Sequence, residues 1–293
     1  MLFLIYINDL SLNTTLSSIL FADDTCLFHS DSDPDRLNLT LNAELEKISN
    51  WLTSNKLTLN VAKSNFILFY GKHNKIKDFN LFISGGKLKN TSNCKYLGII
   101  MDEHLNWKEQ IKLVSNKIKQ GVGMLHKIGR YISKRSLISL YYALIQSHLT
   151  YCVSAWGNPE TPGINKINKF IHKCFKLINN KANDTPEANT KFNPLNIRSL
   201  YRLEACKLVH RYLNNKPKSS INLFVDHPRK FDIKNPARRN EKNSVSVIHF
   251  DQAECPLMYH APLAWQELEC HKIVKLSSHS LCSHLKNRLY ALQ

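Results

Sequence analysis

The hydrophobic period of this chain changes near Trp107, and that change limits what each part can fold into. From there Trp107, Ile111, Val114, Ile118, Val122, Leu125 and Ile128 recur at spacings of three and four, the mark of an amphipathic helix burying one face. Lys108, Lys112, Lys119 and Arg130 fall among its polar positions. A second helix is predicted over 136–149, with Leu137, Leu140, Tyr141, Leu144 and Ile145 inward, before Gly157-Asn158-Pro159 and Pro162-Gly163 break the chain. A Lys-rich helix over 164–178 (Lys166, Lys169, Lys173, Lys176) and a fourth over 195–213 complete a small bundle.

Before Trp107 the apolar runs are short. Ser18-Ile19-Leu20-Phe21-Ala22 and Thr25-Cys26-Leu27-Phe28 flank Asp23-Asp24 and read as a hairpin around that pair. Asp-Asp suits a tight hairpin turn poorly, because its central residues need positive φ, and two adjacent anions repel. A divalent cation would account for them, since Mg²⁺ takes oxygen ligands from one or two carboxylates together with phosphates. An ordinary pair of Asp residues at a surface turn is the alternative. Asp31-Ser32-Asp33-Pro34-Asp35 supplies helix-start chemistry. The helix after it carries Leu37, Leu41, Leu45, Ile48, Trp51 and Leu52 on one stripe and ends at Asn55-Lys56. Strand is expected at 57–61, a buried strand at 66–70, another at 81–83 leading into a Gly85-Gly86 turn, and a second hairpin over 95–100. Residues 1–10 read as the end of a buried helix or strand. The fold class is α+β, an antiparallel sheet with helices packed on it.

At 43% hydrophobic and 10% aromatic the chain has the composition of a folded protein, not a disordered one. Its eight Cys include no Cys-x-x-Cys pair, which points to free thiols in a reducing, intracellular compartment. The apolar start has no positive flank and is too short to span a bilayer, so neither secretion nor a transmembrane segment is expected. Its abruptness suggests a portion upstream. Residues 1–54 hold two basic and eight acidic residues, leaving 38 basic against 15 acidic in the rest. An acidic patch followed by a basic remainder suits a protein that does metal chemistry on a polyanion. A merely soluble basic protein is the alternative. No Trp-rich basic amphipathic segment stands out, which favours nucleic acid over a membrane surface. Residues 216–254 read as an irregular basic segment.

The order of these features resembles a reverse transcriptase of a non-LTR (LINE-type, jockey-like) retrotransposon. The resemblance rests on MLFLIYINDL at 1–10, FADDT, WLTSNKLTLNVAKSNFILF, KYLGIIMDEHLNW, the helical region with Tyr151 to Trp156-Gly157, and the ending Ala261-Pro262-Leu263-Ala264-Trp265. It implies a partial polymerase palm over 1–104, an α-helical thumb bundle over 105–215 and a basic C-terminal extension over 216–293. Asp23 and Asp24 match the family's palm carboxylates, which hold two Mg²⁺ (or Mn²⁺) ions. Lys63 matches a basic residue near the nucleotide phosphates, or is a solvated Lys at a strand entrance. Tyr96-Leu97-Gly98 matches the hairpin that grips the primer, or is an ordinary core strand. Lys108, Lys112, Lys119 and Arg130 would neutralise nucleic-acid phosphates. The implied partners are an RNA template, a DNA primer and deoxynucleoside triphosphates. The family's first palm carboxylate has no counterpart in this sequence, so a polymerase fragment inactive alone is expected. A non-catalytic nucleic-acid-binding module and a decayed relic are the other readings. Cys255, His260, Cys270, His271, Cys282 and His284 do not have the spacing of a compact zinc site.

Overall fold

A computed structural model describes residues 2–70, 78–181, 192–215, Ala264 and 278–291. The chain forms two compact units, Met1–Leu105 and Asn106–Gln293.

The first unit is mixed helix and strand. α1 (Leu2–Ile7) runs into a 3₁₀ turn at Asn8–Asn13. β1 (Ser17–Phe21) and β2 (Asp24–Phe28) form an antiparallel hairpin, and α2 (Pro34–Ser54) follows. Asp33 caps α2, its carboxylate accepting from the Asp35 N–H, and Pro34 opens the first turn. β3 (Asn65–Phe66), β4 (Phe82–Ile83), β5 (Gly86–Lys87), β6 (Lys89–Asn90), β7 (Asn93–Tyr96) and β8 (Ile99–Asp102) complete it. Its core gathers Ile7, Leu10, Leu16, Leu45, Ile48, Leu81, Ile83 and Leu88, with Leu41, Trp51 and Leu52 packed against them. The stripe expected on α2 is therefore the face that covers this core.

Several expectations in this unit are corrected. Residues 1–10 are helical but mostly exposed: Leu2, Phe3, Leu4, Ile5 and Tyr6 face outward, and only Ile7 and Leu10 reach the core. A helix this short can offer the core one edge alone. Residues 57–61 form no strand. Asn60 accepts the Lys63 N–H on both its backbone oxygen and its side-chain oxygen, and this local bonding closes a 3₁₀ turn at Val61–Lys63 instead. The strand expected at 66–70 is two residues long and half-buried, because its ladder partner, β6, offers only two residues. The sheet is not continuous. The strands make four two-stranded pieces, three antiparallel and one parallel, β3 with β6. The turn between β4 and β5 falls on Ser84-Gly85, both at positive φ, so Gly86 is already in the return strand. The second hairpin is longer than expected and turns at Leu97-Gly98.

The second unit is helical among its described residues. α3 (Lys108–Ile128) buries Ile111, Val114, Ile118 and Leu125 from the expected stripe, and Gln110, Ser115 and Gly121 beside them. The helix expected at 136–149 spans 134–150 and contains a π turn. It comprises α4 (Lys134–Tyr141), the π turn Tyr142–Gln146 and α5 (Ser147–Thr150). Leu137, Tyr141, Ile145 and Leu149 are fully buried at intervals of four. The wider π turn keeps this series on one side where a regular α-helix would rotate it away. It also explains why Leu140 and Leu144 are only half-buried. A Cβ on Gly121 would lie 3.0 Å from Ile145 Cγ1 and 3.1 Å from the Leu144 carbonyl oxygen, so the π turn approaches α3 where α3 has no side chain.

α6 (Val153–Trp156) lies where the sequence predicts no helix. Trp156 is fully buried and its indole N–H donates to the Tyr151 carbonyl at 2.9 Å. α7 (Ile164–Asn179) buries Ile164, Ile167, Ile171, Cys174 and Ile178. Burial pushes the Cys174 thiol up to about 12. α8 (Ile197–Asn215) and α9 (Ser278–Ala291) pack together. Gly163 lies against Ile111, and Gly129 against Leu177. Matching starts and matching ends are therefore neighbours, and α3 and α7 run parallel. The segment 216–254 and most of the ending that carried the resemblance lie outside the described residues.

Candidate active site

The register of the β1–β2 hairpin pairs Phe21 with Asp24, so the two-residue turn is Ala22-Asp23 and not Asp23-Asp24. Ala22 takes φ +52°, at a cost of about 1–2 kcal/mol for a residue with a Cβ. The shift leaves one residue in the left-handed region where a turn centred on Asp23-Asp24 of type I′ would need two. It also separates the carboxylates: Asp23 sits in the turn and Asp24 starts β2. Both are exposed, and no side-chain hydrogen bond or ion pair of either is found among the described residues.

Side chains alternate along a strand, so Asp24 and Cys26 share one face of β2, while Cys94 and Tyr96 share one face of β7. These faces meet. Burial raises the Tyr96 phenol above its ordinary range, and the Cys26 and Asp24 side chains push it the same way. Burial and the neighbouring Cys94 raise the Cys26 thiol. Cys94 Sγ donates to Asn65 Oδ1 at 3.3 Å. The Tyr96 hydroxyl is buried with no hydrogen-bond partner. It is a protonated donor held near Asp24, and a buried donor left unmade is costly unless something accepts from it. Leu97 and Gly98, at φ +45° and +84°, form the turn beyond it.

The structure thus brings Asp23, Asp24 and Tyr96 into one neighbourhood. It does not join Lys63 to them: Lys63 ends its 3₁₀ turn exposed, and no ion pair links it to either Asp. Cys26 and Cys94 were missed by sequence reasoning. The alternation counted from Asp24 signals Cys26, but nothing in the sequence says which strand lies opposite. In the second unit Lys108, Lys112 and Lys119 are exposed on α3 and Arg130 in the loop after it, and Lys112 is 3.5 Å from Glu109.

Asp23 and Asp24 are hard oxygen donors at an accessible turn, which fits one Mg²⁺ completed by water and phosphate oxygens. Among the described residues no group of three or more His, Cys, Asp or Glu side chains could hold a metal ion. A pair of ions is therefore short of a carboxylate in what is described.

A family model described as reverse transcriptase (RNA-dependent DNA polymerase) matches residues 1–101, a span that contains both hairpins. Residues 1–101 are similar to reverse transcriptases. The RNA-directed DNA polymerase from mobile element jockey of Drosophila funebris is 22% identical over 162 residues, covering 54% of this chain and 17% of that relative. The chain thus spans 17% of the length of the curated relative it matches. No solved structure matches it. Among the described residues no helix is long and apolar enough to cross a membrane.

Proposed function

We propose that this chain is part of an RNA-directed DNA polymerase, in which the first unit carries the catalytic turn and the second grips nucleic acid. The observation that supports this best is the exposed Asp23-Asp24 pair on a hairpin faced by the Tyr96 strand, inside the segment that matches the family. Asp23, at the turn, is the direct ligand for Mg²⁺ (or Mn²⁺), and Asp24 is the supporting carboxylate. The ions, when bound, supply activation of the primer 3′-hydroxyl and charge neutralisation on the departing pyrophosphate. Tyr96, Leu97 and Gly98 position the primer backbone, with the unpartnered Tyr96 hydroxyl as a donor. Lys63 meets the triphosphate, and Lys108, Lys112, Lys119 and Arg130 neutralise the phosphates of the RNA template and DNA primer.

A second reading is favoured by the shortage of carboxylates: the chain alone holds template and primer without extending the primer. The test is primer extension on an RNA template with Mg²⁺ and deoxynucleoside triphosphates, using the chain and its Asp23→Ala variant. Binding to the same template–primer is measured in parallel over a salt series. The expected result is binding that weakens steeply with salt and no extension. Extension that disappears in Asp23→Ala would overturn the inactivity and support the assignment of Asp23. Neither extension nor salt-sensitive binding would remove the nucleic-acid reading altogether.

A further inference from the structure

Lys108, Lys112, Lys119, His126 and Arg130 stand four, seven, seven and four residues apart on α3 and the loop after it. Each interval returns a helix to nearly the same side. All five are exposed, and the row they form runs about 33 Å. α7 has a row of its own, Lys166, Lys173 and Asn180, seven apart and exposed. It contains no acidic residue between Ile164 and Asn179.

The packing fixes how the two rows lie. α7 touches α3 through Ile111 and Gly129, on the flank next to the α3 row, and α3 touches α7 through Gly163 and Leu177, on the flank next to Lys166 and Lys173. The rows therefore line the two sides of one solvent-facing groove between parallel helices, whose axes are typically about 8–10 Å apart. Ile111 is level with Gly163, and Gly129 with Leu177. Lys166 consequently falls between Lys112 and Lys119, and Lys173 between Lys119 and His126. Donors thus alternate from side to side along the groove, at unequal steps that average about 5 Å. At one end the groove opens into a cleft of about 360 Å³ lined by His126, Arg130, Leu177, Asn180 and Lys181.

The loop leaving this end is held in place. The Lys181 ammonium donates to the Gly129 carbonyl at 2.6 Å and to the Ile132 carbonyl. Between these two anchored residues lies Tyr131, which is 84% exposed and has no ring partner among the described residues. A large ring on a pinned loop, its faces bare, at the end of a row of cations is the arrangement of a stacking platform with a backbone track.

We infer that the α3–α7 groove takes an unpaired stretch of RNA, its phosphates between the two rows and a base stacked on Tyr131. This rests on the polymerase reading above, in which the RNA template is the strand that has unpaired bases. A duplex fits worse. The groove is one helix spacing wide, and a base inside a duplex cannot offer its face to an exposed ring.

The test is fluorescence anisotropy of the full chain with a 12-nucleotide uridine RNA and with a 12-base-pair RNA–DNA hybrid, each over a salt series. Tyr131→Ala is expected to weaken binding of the single strand about tenfold, leave the hybrid within twofold and leave the salt slope unchanged. Tyr131→Phe is expected to bind as the parent does. Lys166→Gln with Lys173→Gln should lower the single-strand salt slope by about 1.4, at roughly 0.7 for each phosphate no longer neutralised. No loss on the single strand with Tyr131→Ala, an equal loss on both nucleic acids, or an unchanged slope in the double variant would overturn the inference. If these failures came with intact binding of the hybrid, the polymerase reading would stand. If neither nucleic acid bound in a salt-dependent way, both would fall.

Discussion

Glu44 shows how a single residue ties the first unit together. It is buried on α2, yet its carboxylate accepts from Lys47 Nζ at 2.6 Å, from the Thr15 N–H at 2.8 Å and from Thr14 Oγ1 at 2.8 Å. The Lys47 ammonium first, and the Thr15 N–H next, hold its pKa down to about 2 against the effect of burial. A carboxylate depressed in the folded state stabilises it above the ordinary value, and that stability is lost as pH falls. The chain should therefore lose stability between about pH 4.5 and about pH 2, a loss that Glu44→Gln removes. The same substitution should cost about 1–3 kcal/mol near neutrality, measured by urea unfolding across a pH series. Nothing in the sequence marked Glu44, because a Glu on a helix ordinarily faces water and its Thr15 and Thr14 partners are 29 and 30 residues away. Asp23 and Asp24 were legible for the opposite reason. Two adjacent anions between apolar runs are anomalous without any knowledge of their surroundings.

At the scale of elements, helices were read more accurately than strands. The stripes on α2 and α3 are local, so spacing alone identified the buried faces. A strand exists only where a partner pairs with it. Phe66 to Tyr70 had the composition of a buried strand but found two residues of partner. The π turn was equally hidden, because its cause lies on another helix, at Gly121. Gly121→Ala would put a Cβ against Ile145 and the Leu144 carbonyl. It should cost about 1–3 kcal/mol by forcing the helices apart, although alanine is the better helix former. A thermal melt that rises with Gly121→Ala would contradict this account of the π turn. Gly123→Ala is the control, since a Cβ there meets nothing within 4 Å and the substitution should stabilise by about 0.5–1 kcal/mol.

For the whole molecule the legible quantity was charge. The net −6 of residues 1–54 against the +23 that follows needed no structure to see. Its arrangement did need one, since only the packing of α7 beside α3 turns scattered lysines into two facing rows. Lys119→Gln with Arg130→Gln should lower the salt slope for binding of the unpaired RNA strand by about 1.4, near 0.7 for each phosphate left without its cation, read from anisotropy at several salt concentrations. The parallel course of α3 and α7 has one more consequence. Parallel helices align their macrodipoles, so the partial negative charges at their C-terminal ends, each about half an elementary charge, lie side by side and repel. Lys181, just past the end of α7, reaches across to the Gly129 carbonyl at the end of α3 and to the Ile132 carbonyl in the loop after it. A positive charge there opposes both helix ends at once, which no apolar packing residue could do. Acetylation of that one amine, which removes its charge, would leave the two helix ends to push each other apart.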